Sequence, residues 1–582
     1  MKLAVLALLA AVSSGHAQTQ LRSLRGVPVP EPPGWNEYVR DKTALAALGK
    51  AFFWDMQAGS DGVTACATCH FHAGADHRPQ NMLADPQNPF PLNLELSSVA
   101  FPFRLLADPS NRNSTVLRDT SVRVGSAGTV RRIFEGIVPG QAAELGRDAL
   151  DKPEFMLGNL QVRRVTVRNT PSVFNTAYYV RNFWDGRATR TFNGFTVAGT
   201  SVDAPGVLAV AGEDGGLQRH HVRLDRASLA AQAVGPALDH LEMSYAGRTW
   251  PLLGKKLLSL PPLALQKVAS DDSALGAMAR TGEGRGLQEG FTYLSLIQAS
   301  FAPKFWESQQ LVNGSGEAIA DRTGAPANLD EFTQAEYNFS LFWGLALQAY
   351  QSTLNSDDSP FDRFMEGNRQ ALTQREQDGM TLFQNGARCT QCHNGAQFSA
   401  AAFNDNFSTR NDSFETTGVR PAGEDIGSGN AAFKSIGLRN IEFTGPYFHN
   451  GGQSTLEQVI AFYRRGGDFS PITGDIRAFN AGPEQVASII AFLKALSDDR
   501  VRFERAPFDH PELCVPVGHV EESSPAHAAS AVEKWRSVPA VGAGGNALPL
   551  RTFDELLAGN GERVHSLSEA CSAPLPLDGP VR

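Results

Sequence analysis

The chain has 582 residues with 52 Lys and Arg against 61 Asp and Glu, a net charge of −9, and only 19% charged residues. An apolar content of 42% supports a real core, while 55 Gly and 34 Pro without period exclude collagen-like and low-complexity chains. The acidic balance, with no strongly basic run, argues against nucleic acid as the main partner, and at about 150 residues per domain the length allows up to four domains' worth of chain.

The first 17 residues read as an export signal. Lys2 gives a positive start, Leu3 to Val12 an apolar stretch, and Gly15-His16-Ala17 a small-x-small cleavage site. That stretch is too short to span a bilayer, and no later apolar run is longer without interruption. The mature protein is expected to start near Gln18 and to be periplasmic or secreted, without a membrane span. The competing reading of residues 1–17 is a buried N-terminal helix.

In chain order, the apolar positions of Ala44 to Phe53 follow helical spacing, and Asp61-Gly62 then turns the chain. The following Cys66-Ala67-Thr68-Cys69-His70 has a counterpart in Cys389-Thr390-Gln391-Cys392-His393. Chance placement of 6 Cys and 13 His gives on the order of 0.001 such pentads. Two thiols three residues apart capture the two vinyl groups of haem, and the adjacent His becomes the proximal iron ligand. A zinc site or a redox C-x-x-C accounts less well for a His after both pairs. The sequence therefore predicts two covalently bound haem c groups, with His70 and His393 on the irons.

Pro79 to Gln161, Ser201 to Gly216 and Asn313 to Asn328 are polar or loop-rich and read as insertions. Tyr337 to Tyr350 is aromatic-rich and reads as a buried helix linking two halves. Thr373-Gln374-Arg375-Glu376 is a capping box opening a helix that ends near Gly386. Leu456 to Arg464 and Glu484 to Leu496 read as further helices, and the last 80 residues as a weakly specified tail. Cys514 and Cys571 in that tail are either a disulfide or two free thiols.

Several blocks around the pentads resemble the bacterial di-haem cytochrome c peroxidase superfamily, which includes MauG. They are Leu48-Gly49-Lys50-Ala51-Phe52-Phe53-Trp54-Asp55, Arg168-Asn169-Thr170-Pro171-Ser172-Val173, Phe183-Trp184-Asp185-Gly186-Arg187-Ala188, Gly235-Pro236 with Leu241-Glu242-Met243, Ser359-Pro360-Phe361-Asp362-Arg363-Phe364, and Gly445-Pro446-Tyr447-Phe448-His449-Asn450-Gly451. The likeness runs from about Leu48 to Leu496 and misses the tail. It implies a mainly α fold: two cytochrome c-like haem domains facing each other, here with large loop insertions and a C-terminal extension. The corresponding division is 1–17 signal peptide, 18–350 N-terminal peroxidatic haem domain, 351–500 C-terminal electron-transfer haem domain, and 501–582 extension.

The resemblance also implies roles. Trp184 matches the family's tryptophan between the haems, and Glu242 its distal glutamate, which exchanges protons with bound peroxide. Asn169, Thr444 and Pro446 match the places that hold a Ca²⁺ between the domains. The family's capping His for the first haem falls on Gln161, so that haem is expected to be open; neither His72 nor His77 matches the capping position. The family's Met ligand to the second haem falls on Tyr463, and no Met follows Cys392. The sixth ligand is then Tyr463, a tail histidine such as His510 or His519, or absent.

The leading expectation is an exported peroxidase that reduces hydrogen peroxide with electrons from a small cytochrome or cupredoxin. The others are a MauG-like enzyme oxidising a partner protein, a di-haem oxygenase of the rubber-cleaving type, and a non-enzymatic electron carrier.

Overall fold

A computed structural model describes residues 20–558 except 80–81, 84–97, 153–154, 158–159, 201–203, 212–215, 283, 405–406, 408–412, 470–475 and 522–530. The expected signal segment and Cys571 lie outside the described residues, as do parts of the first two insertions. Among the described residues are thirteen α-helices and eight two-stranded antiparallel ribbons, so the fold is mainly helical, with no sheet large enough to form a layer. The helices, in chain order, are α1 Lys42–Trp54, α2 Ala67–His70, α3 Ser228–Ala233, α4 Trp250–Leu258, α5 Tyr293–Ser300, α6 Gln334–Tyr337 and α7 Phe339–Gln351. They continue with α8 Pro360–Met365, α9 Gln374–Thr381, α10 Leu456–Arg464, α11 Pro483–Lys494, α12 Asp499–Arg502 and α13 Phe553–Leu557.

Each pentad follows a helix that crosses a later one at a glycine. In α1, Gly49 lies against α7 so closely that an added Cβ would stand 1.9 Å from the Ala346 carbonyl oxygen. In α9, Gly379 lies against α11, where an added Cβ would stand 1.9 Å from the Ser488 carbonyl oxygen. Around the first crossing Phe52 packs on Tyr293 and Trp343, with ring centroids 4.9 and 5.0 Å away. Around the second, Phe383, Phe398 and Phe492 form a smaller apolar cluster with Phe361. The capping box at Thr373 is present, and α9 runs on into a π turn at Leu382–Gly386 before the second pentad. α7 is buried along its whole length, and α10 has the bounds expected from its pattern.

The insertions fold as hairpins rather than open loops, among them Arg132–Gly136 with Leu145–Asp148, Val207–Ala211 with Gly216–His220, and Gln310–Val312 with Ala318–Thr323. The tail departs most from expectation. Instead of a weakly specified segment, residues 501–558 pass through the main core. Leu513, Val515 and Trp535, on the hairpin of Leu513–Glu521 and Ala531–Val538, are fully buried with α1 and α7 in one apolar cluster. Asp509 joins Asp272 around the buried Lys50 ammonium of α1, at 3.0 and 2.8 Å. Removing one member of such a buried set leaves an uncompensated charge, which holds the tail to α1. Cys514 is disulfide-bonded.

The glycine crossings give the first prediction. Gly49→Ala and Gly379→Ala each push a methyl into backbone and should cost about 1–3 kcal/mol or more in urea unfolding. Wild-type midpoints in both variants would show that the helices do not cross this tightly.

Candidate functional site: two cavities and a shared wall

The turn that leads into the first pentad is built on Asp61. Its carboxylate accepts from the Val63 and Thr64 amides, both at 3.0 Å, and from the Thr64 hydroxyl at 2.8 Å, and Gly62 takes the left-handed φ of +74° that the turn needs. In the pentad, His70 Nδ1 lies 2.8 Å from the Gly74 carbonyl oxygen, so Nδ1–H donates and Nε2 is left as the coordinating nitrogen. His393 repeats this, with Nδ1 3.1 Å from both the Phe398 and Ile436 carbonyl oxygens. Burial pushes both imidazoles below their ordinary range, which keeps them neutral, as ligation requires.

Each pentad opens onto a cavity, and the two are nearly equal, about 260 and 280 Å³. Cys69 and His70 line the first and Cys389, Cys392 and His393 the second, while Cys66 lines a small annex with Cys69, His70 and Glu242. Burial pushes the Cys69 and Cys389 thiols up to about 12, so without a cation beside them they are protonated. Among the described residues no three His, Cys, Asp or Glu side chains converge as a metal ion would require. A pair of half-buried thiols, an oriented neutral imidazole and an apolar-lined space fit a covalently held haem at each site.

The predicted residues gather around these cavities. Glu242, Trp184, Asn169, Thr444 and Pro446 line the first, and Tyr463 lines the second with His449. Burial, aided by Asp239, pushes the Glu242 carboxyl up to about 7 against the pull of Arg187. Its backbone is held by Thr129, whose N–H donates to the Glu242 carbonyl at 3.0 Å. Trp184 belongs to the linings of both cavities. Its indole N–H donates to the Asn169 carbonyl at 2.7 Å, while the Asn169 backbone N–H donates to the His449 carbonyl at 2.8 Å. The Asn169 side-chain amide donates to the Pro446 and Phe448 carbonyls, at 2.5 and 3.2 Å.

Other predicted residues lie elsewhere. Gln161 donates to the Ala149 carbonyl at 2.5 Å and does not line the first cavity, where His70 is the only histidine among the described residues. His72 and His77 stack on each other, 3.6 Å between centroids, and bond to the tail through the Arg551 carbonyl and Arg536. His510 stacks on Trp54 beside His70. His519 pairs in register with Glu533 in a hairpin that packs on the first half. Of the three sixth-ligand options, Tyr463 alone is placed at the second cavity; burial pushes its phenol up, so it is neutral unless a cation draws the proton off.

Sequence reasoning missed several supporting groups. Lys434 lines both cavities; its ammonium donates to the Arg181 carbonyl at 3.2 Å, and burial pushes it down to about 7, opposed by the Asp185 charge. Arg248 donates to the Met243 and Ala58 carbonyls and pairs with Glu144 at 2.7 Å, and Lys256 reaches the same carboxylate at 3.0 Å. Burial opposes ionisation of Glu144, but Arg248 and Lys256 outweigh it and hold the carboxyl at about 2. Glu144 lies in an insertion, and no local pattern marks it.

Comparison with known proteins finds a family for part of the chain. Residues 43–266 match the model of the family described as di-haem cytochrome c peroxidase. This segment belongs to that family. It holds the first pentad, Asn169, Trp184 and Glu242, and the second pentad lies beyond it. Cytochrome c551 peroxidase of Nitrosomonas europaea is 36% identical over 163 residues, covering 27% of this chain and 45% of that protein. The methylamine utilization protein MauG of Methylorubrum extorquens is 32% identical over 162 residues, covering 26% and 42%. The chain thus spans less than half the length of these di-haem relatives. Among solved structures, a MauG-like protein associated with microbial copper homeostasis aligns at TM-score 0.45 and 17% identity, over 83% of this chain and 97% of that one. The diheme peroxidase of Burkholderia thailandensis E264 aligns at 0.38 and 18%, over 81% and 92%.

The buried imidazoles predict acid sensitivity. Burial pushes His72 down to about 4 and His449 to about 3, from an ordinary 6.5. The unfolded chain therefore binds more protons below pH 6.5, so their stabilising effect is complete above that pH and is lost as pH falls through 4 and then 3. Urea midpoints should fall between about pH 7 and pH 5; an unchanged midpoint would mean that these rings are solvated.

Proposed function

We propose that this protein is an exported di-haem peroxidase that reduces hydrogen peroxide at the first site with electrons relayed from the second. The observation that carries this reading is Glu242, a carboxyl near neutrality on the same cavity wall as Cys69 and His70, with Trp184 between that cavity and the next. Cys66 and Cys69 would hold one haem c and Cys389 and Cys392 the other, with His70 and His393 on the irons and Tyr463 as a further ligand at the second. When bound, the haems supply the redox chemistry of peroxide cleavage.

The chain supplies the proton path and the geometry. Glu242 as carboxylate takes the proton of the peroxide oxygen nearest the site. As carboxylic acid it returns that proton to the departing oxygen, so that two electrons and two protons convert one peroxide to two waters. Trp184, held by the Asn169 carbonyl, sits where an electron passes between the cavities. Arg248 fixes the carbonyl of Met243, next to Glu242, and so positions the acid–base group. Among the described residues no histidine other than His70 lines the cavity that Glu242 lines, which leaves it open to peroxide. Asn169, Thr444 and Pro446 are proposed to hold a Ca²⁺ at the wall, the Asn169 amide turning its oxygen toward the ion. The electron donor is a small cytochrome or cupredoxin in the periplasm. No helix among the described residues is long and apolar enough to cross a membrane.

One observation favours a second reading, a MauG-like enzyme that oxidises a partner protein. Tyr463 lines the second cavity, and no methionine does. A phenolate there stabilises oxidised iron and makes the second site a poorer acceptor of electrons from ordinary cytochromes.

Three measurements test these assignments. Glu242→Gln should slow peroxide cleavage by roughly 100- to 10,000-fold and abolish the rise in rate with pH toward about 7 that the wild type shows as the carboxyl ionises. A variant with wild-type rate and pH profile would remove Glu242 from the chemistry. Tyr463→Phe should abolish the low-spin signal of the second haem, and an unaltered signal would eliminate the tyrosine. Chelation should release Ca²⁺ and slow electron passage between the haems; unchanged metal content and inter-haem rates would reject the calcium site.

A further inference from the structure

Beginning at His70, a line of aromatic rings leads from the first site into the tail. Phe53 lies 6.2 Å from His70 and 5.4 Å from Tyr350, centroid to centroid. Trp54 lies 5.9 Å from Phe53, and its indole N–H donates to the Tyr350 hydroxyl at 2.9 Å. On its other face Trp54 stacks on His510, 4.6 Å away and 9° from parallel, and His510 Nε2 lies 3.2 Å from the Glu504 carboxylate. His70, Phe53, Trp54, Tyr350, His510 and Glu504 share one narrow cleft. Trp54 and Tyr350 are 4% exposed, and the line reaches solvent at Asn546, which donates to Glu504.

Tryptophan and tyrosine are the side chains most readily oxidised by one electron. The indole–phenol hydrogen bond satisfies two buried polar groups and at the same time holds the two rings in contact. The Asp272 and Asp509 carboxylates share a single ammonium, Lys50, and their field acts on Tyr350. Nearby negative charge favours loss of an electron from these rings.

We propose that Trp54 and Tyr350 form a second one-electron relay, distinct from Trp184, that draws oxidising equivalents from the first site through the His70 side toward the tail. The proposal rests on the peroxidase reading, because hydrogen peroxide at the first site is the oxidant. One electron leaves the Trp54 indole for the peroxide-oxidised site. The indole keeps its N–H, donated to Tyr350, so the hole stays as a cation and no proton is displaced. A small one-electron donor at the Glu504–Asn546 surface then returns the electron. The relay serves when the second site holds no electrons to send through Trp184.

The test uses the full-length protein carrying both haems, mixed with peroxide without donor and freeze-quenched for EPR, with peroxide loss followed in parallel. A protein-radical signal is expected that narrows when the tryptophans are ring-deuterated and is lost in Trp54→Phe. Peptide mass spectrometry should find oxygen adducts on Trp54 or Tyr350 in the wild type, suppressed by the donor. Tyr350→Phe removes the indole's acceptor with little change in shape and should alter the signal's line shape while Trp184→Phe leaves it in place. Peroxide loss with a radical unaffected by Trp54→Phe and Tyr350→Phe, and with both rings unmodified, would overturn the relay alone. No peroxide loss would remove both the relay and the peroxidase reading.

Discussion

The arrangement depends on one polar crossing. Asn169 accepts the Trp184 indole N–H on its backbone carbonyl and donates its backbone N–H to the His449 carbonyl, with its side-chain amide against the Pro446 and Phe448 carbonyls. These bonds pin the segment that carries Trp184 to the Gly445–Gly451 block, and so make the wall that both cavities share. Arg168, one residue earlier, closes the same junction through Asp185 and Asp425. Buried charge-assisted pairs of this kind fix geometry more than they add stability. With the wall in place, the Glu242 carboxyl lines the cavity on one side and the Tyr463 phenol the cavity on the other.

Features set by local sequence were legible in advance. α10 has its expected bounds because Thr455 caps it and its apolar face repeats at helical spacing. α9 starts where Thr373 and Glu376 form a capping box. The pentads were legible because haem attachment fixes their residues in consecutive order, and Glu242 and Trp184 because they lie in recognisable blocks. Three groups were not legible: Lys434, Glu144 and the Lys50–Asp272–Asp509 cluster. Each acquires its role from partners far along the chain, and the cluster joins residues 222 and 459 positions apart. The tail was misjudged for the same reason. Its Pro- and Gly-rich stretches lack periodicity, yet Trp535 and Leu513 are fully buried once the hairpin meets α1 and α7.

The tail also changes what surrounds the first site. Arg163 donates to Asp61 at 2.7 Å and to Glu533 at 2.6 Å, tying the hairpin to the turn that precedes the first pentad. Arg78 lies 3.8 Å from the Cys69 sulfur and donates to the Pro516 carbonyl at 2.8 Å. A segment outside the family-matched region thus packs against the first pentad and the turn that precedes it.

The proposed function requires the first site to be open and the second to be closed by Tyr463. The most direct measurement is the EPR spectrum of the resting ferric protein with both haems attached, before and after cyanide. One high-spin and one low-spin haem, with only the high-spin signal converted by cyanide, is the predicted result. Two low-spin haems indifferent to cyanide would contradict it.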